Sequence, residues 1–496
     1  MEGVFCLLQR FESNQHNLLL PRILYNIKYT LPRILNIIYV FLPCILSISM
    51  FYQRKIYKDL LEWKTSMRRK PLILRGARQV GKSTLVREFS KEYDHYIELN
   101  LERKEERQIF EIENVKEILE LILLRERISI ESRSLLLFID EIQASPKAIQ
   151  LLRFFYEDFP DLHIICAGSL LEHAIKDIPS FPVGRIQQMV LHPFDFEEFL
   201  RAKGDDRIID LLDMIPVKES VHDFMLKRFH EYVLIGGMPE VVKTYIETDS
   251  FSTTGPVYEE IWETYKDDVE KYGKNSTEKK MLRHIIATAA HEKDRITFSG
   301  FGNSNYRNRE VGEALRSLDK ARLIRLIYPA ISVQPPQEID YKRKPRLQFL
   351  DTGLLNHALG IQSQMIGMKE MNDFHRGRII QHIVYQQLQA QNSAIDARLH
   401  FWVREQSKSN AEVDLVYQYQ QFLLPIEVKA GSQGRLRSLH QFIEKTNHHY
   451  AIRLLSNRLS IEKVKTPGGK AYTLLNLPYY LSTRIPQYAK WLTEKA

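Results

Sequence analysis

The sequence predicts an α/β fold in three parts: a parallel sheet flanked by helices, a helical middle region, and a second α/β unit at the carboxyl end. Three stretches carry that prediction. PLILRGARQVGKSTLVREF (71–89) passes from an apolar strand through a glycine loop into a helix. SLLLFIDEIQ (134–143) is an unbroken apolar run ending in paired carboxylates, the pattern of a strand buried on both faces of a parallel sheet. AEVDLVYQYQQFLLPIEVK (411–429) begins as an alternating strand, turns near Gln418 to Gln421 and returns as a buried strand, as a hairpin does.

The 496 residues are 44% hydrophobic and 27% charged, a composition of folded protein rather than disorder, with length for about three domains. The expected divisions are 50–205 for the first α/β domain, 206–275 for a helical connector, 276–345 for the middle region and 346–496 for the C-terminal domain. The net charge of +8, from 70 basic and 62 acidic residues, leans weakly toward polyanionic partners. Cys6, Cys44 and Cys166 are too far apart for a metal-ligand spacing and fit a reducing compartment, so a cytoplasmic location is expected.

Residues 1–49 stand apart. LPRILYNIKYT, LPRILNIIYVF and LPCILSISMFY repeat their Leu-Pro pair every 11 residues, at Leu20, Leu31 and Leu42. Prolines at that frequency do not suit a helical repeat, and the period is what a translated tandem DNA repeat would produce. The favoured reading is a misassigned start, with Met50 the true initiator. A membrane anchor over Ile34 to Tyr52 is the second, because that run is uncharged and nearly long enough to span. Arg54, Lys55 and Lys58 after it would keep the body of the chain cytoplasmic. A cleaved signal peptide is the third and fits least, since Cys6 to Leu20 is polar. A membrane is not expected among the partners.

In the first α/β domain, Gly76, Gly81, Lys82 and Ser83 complete G-x-x-x-x-G-K-[ST] between strand Leu72–Arg75 and a helix starting near Lys82. Glycines let the backbone curl so that its N–H groups aim at phosphate oxygens, and the helix N-terminus adds positive potential. Val80 and Thr84 flank this P-loop and belong to the expected nucleotide site. Lys82 reaches the terminal phosphates and the Ser83 hydroxyl ligates Mg²⁺. Asp140, ending the second strand, would hold the Mg²⁺ water shell, and Glu141 would polarise the attacking water. The rival reading makes these carboxylates an acidic cap for the helix near Pro146. LHIICAGSLLEHA (162–174) adds a strand ending in Ser169, which either senses the γ-phosphate or caps the next helix. Arg185, before the last strand of the domain, is a candidate arginine finger in cis or toward a neighbouring subunit.

With these motifs the chain resembles the prokaryotic AAA-type P-loop ATPases that carry a C-terminal domain of unknown function. LRGARQVGKST, LFIDEIQ and GRIQQMVLHPFDFEEFL match the ATPase part, and YVLIGGMPEVV (232–242), FLDTGLL (349–355) and FWVREQSKSNAEVDLVY with LPIEVKAG match the rest. The resemblance covers nearly all of 50–496. It implies ATP as ligand, a parallel-sheet core and a restriction-endonuclease-like carboxyl end.

The middle region places MLRHIIATAAHEK (281–293) before a Gly/Asn-rich turn and REVGEALRSLDKARLIRLIY (309–328) after it, with Val311, Leu315 and Leu318 on one helical face. A helix after such a turn, followed by a β-like run, suits a winged helix. Arg307, Arg309, Arg316, Lys320, Arg322 and Arg325 make it basic, so it reads either as a DNA-binding module or as a packing or lid module with solvated charges.

At the carboxyl end, Asp414 ends one strand and Glu427-Val428-Lys429 lies on the next, the D…(D/E)-x-K arrangement of restriction-endonuclease-like cores. Two carboxylates on paired strands can share a divalent metal while the lysine stabilises charge. Glu412 shares Asp414's face by the period-two rule. Where the family carries a glutamate four residues after the glycine of FHRGRIIQHIVYQQL, this chain has Gln381, a poor replacement for a carboxylate ligand. The expectation is a Mg²⁺-dependent ATPase whose hydrolysis drives a conformational switch. The alternatives are an ATP-regulated DNA nuclease and a non-catalytic, ATP-loaded recruitment switch. ATP, DNA, an unidentified protein and a second copy of the chain are the candidate partners.

Overall fold

The first apolar strands assemble as a five-stranded parallel sheet in the order β2-β3-β4-β1-β5. Its members are β1 (Leu72–Arg75), β2 (His95–Asn100), β3 (Leu135–Asp140), β4 (His163–Ala167) and β5 (Gln187–Val190). All six residues of β3 and all four of β1 are buried, which is why both read as unbroken apolar runs. Side chains from β2, β3 and β4 share one core with those of the helices Val115–Glu126 and Pro146–Asp158. Helix Pro146–Asp158 is capped by the Ser145 side chain, which accepts from the Ala148 N–H, so the acidic-cap reading of Asp140 and Glu141 fails.

The computed structural model describes residues 52–129, 134–168, 181–271, 273, 275–292, 295–362, 373–394, 398–406, 409–431 and 436–495. Ser169, the repeat before Met50 and most of the anchor reading lie outside these residues. Among the described residues no helix is long and apolar enough to cross a membrane.

Beyond the first sheet come the helices His222–Ile235, Pro239–Thr248, Gly255–Glu270 and Ser276–Ala289, then Asn308–Lys320 and an antiparallel pair, β6 (Ile324–Ile327) with β7 (Arg346–Phe349). Val311, Leu315 and Leu318 are fully buried, as the helical spacing requires. The six basic residues of this region do not share one face. Arg307, Arg309, Arg316 and Lys320 are exposed, whereas Arg322 is buried and Arg325 turns inward to Asp319.

The C-terminal sheet is mixed, in the order β12-β13-β11-β10-β9-β8. β8 (His400–Gln406), β9 (Ser409–Tyr419) and β10 (Phe422–Val428) form an antiparallel meander, and β10 then pairs in parallel with β11 (Tyr450–Leu455). A parallel pairing needs a crossover, supplied by helix Arg437–Lys445, whose Leu439, Phe442 and Ile443 enter the core beneath the sheet. β12 (Ser460–Lys465) and β13 (Ala471–Pro478) complete the sheet. Asp414 lies in the middle of β9 rather than at its end, because pairing with β10 continues to Tyr419.

The two sheets are tied through the helix Asp373–Ala390 and the residues just after it. The Val190 N–H donates to the Ser393 carbonyl at 2.8 Å, and the Phe196 N–H donates to Gln387 Oε1 at 2.8 Å. Residues 52–496 form one contact unit.

Candidate functional site

The P-loop spans the end of β1 and the helix Lys82–Phe89. Gly76 has φ +149°, and a Cβ there would stand 2.5 Å from the Leu191 carbonyl oxygen, so the strand-to-loop turn has no room for a side chain. Gly81, at φ +91°, is the N-cap of the helix. Val80 is fully buried, and its carbonyl accepts from Arg54 Nη1 at 3.0 Å. Arg54 is itself buried, with Nε donating to Glu198 at 3.1 Å and its guanidinium 4.5 Å from the Phe194 ring centre. Thr84 lies exposed on the first helical turn.

Lys82 folds back over the loop, its Nζ donating to the carbonyls of Gly76 at 3.1 Å and Ala77 at 2.9 Å. Burial pushes its ammonium down to about 8, against the opposing pull of Glu141 and Asp140. The Ser83 hydroxyl donates to Asp140 Oδ2 at 2.7 Å, and Asp140 Oδ1 accepts from the Glu141 N–H at 3.0 Å. Burial raises the Asp140 carboxyl above its ordinary range, with the Ser83 hydrogen bond working against that. Glu141 adopts a left-handed backbone at φ +50°, which turns it out of the strand direction, and Gln143 Nε2 donates to its Oε2 at 2.5 Å. The Gln143 side chain also crosses the end of β4, where a Cβ on Gly168 would meet its Oε1 at 2.0 Å. Lys82, Ser83, Asp140 and Glu141 therefore converge, as their motifs require. A hydroxyl and a carboxylate in hydrogen-bond contact form an oxygen donor set suited to Mg²⁺.

Arg185 is exposed and pairs through Nε with Glu157 Oε1 at 2.9 Å, beside Arg153 on the same carboxylate at 3.1 Å. A different arginine enters the loop: Arg78 Nη1 donates to both oxygens of Asp268, at 2.7 and 2.9 Å, and the Arg78 carbonyl accepts from the Tyr265 hydroxyl at 2.9 Å. Sequence reasoning passed over Arg78 although it lies within the motif string. Asp268 is 190 positions away and gave no local signal.

The second cluster lies on β9 and β10. Arg346, at the start of β7, bonds Glu412, also reaches Asp414 Oδ1 at 3.4 Å, and stacks over Phe401 at 4.5 Å. Gln381 Nε2 donates to Asp414 Oδ1 at 2.6 Å, and the Val428 N–H donates to Asp414 Oδ2 at 2.9 Å. Lys429 Nζ stands 2.5 Å from Glu427 Oε1. Burial first, then the charge of Asp414, pushes the Glu427 carboxyl up to about 7. An open cavity of about 470 Å³ lies beside these groups, with Arg346, Arg378, Gln381, Asp414 and Lys429 in its wall. The D…E-x-K residues do come together, but each carboxylate is already engaged by a protein cation or amide. Among the described residues no three His, Cys, Asp or Glu side chains are grouped to hold a metal, and Glu427 Oε2 is buried without a hydrogen-bond partner.

The motif FLDTGLL proves structural. Asp351 is fully buried and accepts from the Gly237 N–H at 2.6 Å, the Leu354 N–H at 3.0 Å and Gln386 Nε2 at 2.9 Å. It thereby joins FLDTGLL to the GGMP turn of YVLIGGMPEVV, where a Cβ on Gly236 would stand 2.3 Å from Asp351 Oδ1.

Residues 68–200 match the family model of an AAA domain, 226–365 match a domain of unknown function (DUF8612), and 376–479 match another (DUF4143). No curated protein sequence matches the chain. Among solved structures, the chain is similar to the Walker-type ATPase of Pyrococcus abyssi, at 17% identity and TM-score 0.41, over 63% of this chain and 97% of that one. It is similar to the Aeropyrum pernix ORC1 protein in complex with DNA, at 14% identity and TM-score 0.25, over 62% and 90%. A STAND protein with a tetratricopeptide repeat sensor from Pyrococcus horikoshii follows at 14% identity and TM-score 0.27, over 68% and 45%. Residues 68–200 match an AAA domain and fold as a parallel α/β sheet around the P-loop.

Proposed function

We propose that the chain is a Mg²⁺-dependent ATPase whose hydrolysis drives a conformational change transmitted to its C-terminal half. The observation that carries this reading is the 2.7 Å contact of Ser83 with Asp140, beside Lys82 and Glu141. Backbone N–H groups of 76–83 cradle the phosphates, and Lys82 exchanges its carbonyl partners for terminal phosphate oxygens. Ser83 and Asp140 would hold the Mg²⁺, which would supply charge neutralisation at the phosphates. Glu141, fixed by Gln143, takes the proton of the attacking water. Arg185, exposed and paired to Glu157, suits a finger offered to a second copy of the chain, with Ser169 as its counterpart sensor in cis.

For the rest we propose a winged-helix-like region at 276–345 and a restriction-endonuclease-like domain at 346–496. The Asn308–Lys320 helix followed by β6 supports the former, and β6 takes its pairing partner β7 from the first residues of the latter. Exposed Arg307, Arg309, Arg316 and Lys320 support DNA as its partner, and the buried arginines do not contribute. The meander with Asp414, Glu427 and Lys429 supports the latter as a nuclease-like face that no longer cuts.

The test is Glu141→Gln in the full chain. It should bind ATP with Mg²⁺ and turn over about a hundredfold more slowly, the scale of losing a general base. Unchanged phosphate release would remove Glu141 from the mechanism.

A further inference from the structure

Arg78 is the one cation inside the P-loop string besides Lys82, apart from Arg75 at the end of the strand. Both its polar ends are held by the helix Gly255–Glu270: the guanidinium by Asp268, which is 95% withdrawn from solvent, and the carbonyl by Tyr265. Lys271, one residue past the helix, also reaches Asp268 Oδ1 at 2.7 Å. Arg78 directly follows Ala77, whose carbonyl accepts from Lys82 Nζ at 2.9 Å, so its pair with Asp268 is anchored on the same loop that holds the phosphate lysine. Farther along, the same helix bonds the C-terminal half, with Trp262 Nε1 donating to the Leu354 carbonyl at 3.1 Å. Thr352, two residues before Leu354, bonds His382 through its hydroxyl at 2.7 Å, and His382 follows Gln381 on the helix that reaches Asp414.

We propose that Arg78 is a positioning residue that reports terminal-phosphate occupancy to the helix Gly255–Glu270, because a γ-phosphate competes with Asp268 for its guanidinium. The proposal rests on the P-loop reading above. A guanidinium binds carboxylate and phosphate oxygens with the same fork of donors, so an anion arriving in the loop is a direct rival of Asp268. ADP lacks the group that would reach Arg78. The contact between Arg78 and Asp268 therefore persists with ADP and is loosened with ATP, and the helix is released at its carboxyl end only in the ATP state.

The test uses the full chain and compares Mg²⁺ with AMP-PNP, a non-hydrolysable ATP analogue, against Mg²⁺ with ADP by calorimetry. Asp268→Asn removes the rival charge, so the affinity for AMP-PNP relative to ADP should rise about tenfold, a typical coupling between sites. Arg78→Ala should lower that ratio, and Asp268→Asn should add nothing in the Arg78→Ala background. Hydrogen exchange over 255–270 in the parent should differ between the two nucleotides, and this difference should vanish in Arg78→Ala. An equal effect of Asp268→Asn on both nucleotides, or identical exchange with both in the parent, overturns the proposal while leaving the P-loop reading intact. A parent that binds neither nucleotide overturns both.

Discussion

Gln381 Nε2 donates to Asp414 Oδ1 at 2.6 Å, so an amide occupies one oxygen of that carboxylate while the Val428 N–H occupies the other. Arg346 bridges Glu412 and Asp414 from the other side. The full chain should therefore show no Mg²⁺-dependent cleavage of plasmid DNA above background. Asp414→Ala should lower the melting temperature, because it takes the acceptor from Gln381 Nε2 and the Val428 N–H and leaves Arg346 with Glu412 alone among its carboxylates. Efficient cutting by the parent, abolished by Glu427→Ala, would contradict the account of this face.

Glu427 gives a pH signature. Its folded carboxyl is pushed up to about 7, above the ordinary value of 4.5. A raised carboxyl binds its proton more tightly when folded, so its protonation stabilises the fold fully below pH 4.5, and that contribution is lost as pH rises through about 7. The melting temperature of the parent relative to Glu427→Gln should fall between those limits. A difference that rises or stays flat over that interval would reject the shift.

Asp351 should behave as a structural residue. Asp351→Ala leaves the Gly237 and Leu354 N–H groups without an acceptor in a buried site and takes one of two acceptors from Gln386 Nε2, a loss of about 3 kcal/mol or more. Chemical unfolding would show it. A variant with parental stability would mean that the GGMP turn is held by other contacts.

The parts of the fold that were legible in the sequence are those with a short-range signature. β1, β3 and β4 announced themselves as apolar runs because both of their faces are buried, and the P-loop did so because its glycines sit where side chains collide. The hairpin of β9 and β10 was legible through another signal, the alternation of buried and part-exposed residues along β9, whereas β10 is buried almost throughout. What failed were long-range partners. Nothing near Asp414 signals Arg346, 68 positions away, and nothing near Arg78 signals Asp268. The basic stripe of 307–325 misled in another way: charge count does not say which guanidinium turns inward, and Arg322 and Arg325 do.

The central claim is that the P-loop of this chain holds ATP through Lys82. Calorimetric titration of the full chain with ATP and Mg²⁺, beside the Lys82→Ala variant, tests it most directly. Among the described residues Lys82 Nζ bonds the loop carbonyls of Gly76 and Ala77, so its removal should leave the fold intact, with an unchanged melting temperature and no detectable ATP binding. Equal ATP affinity in parent and variant would contradict the account.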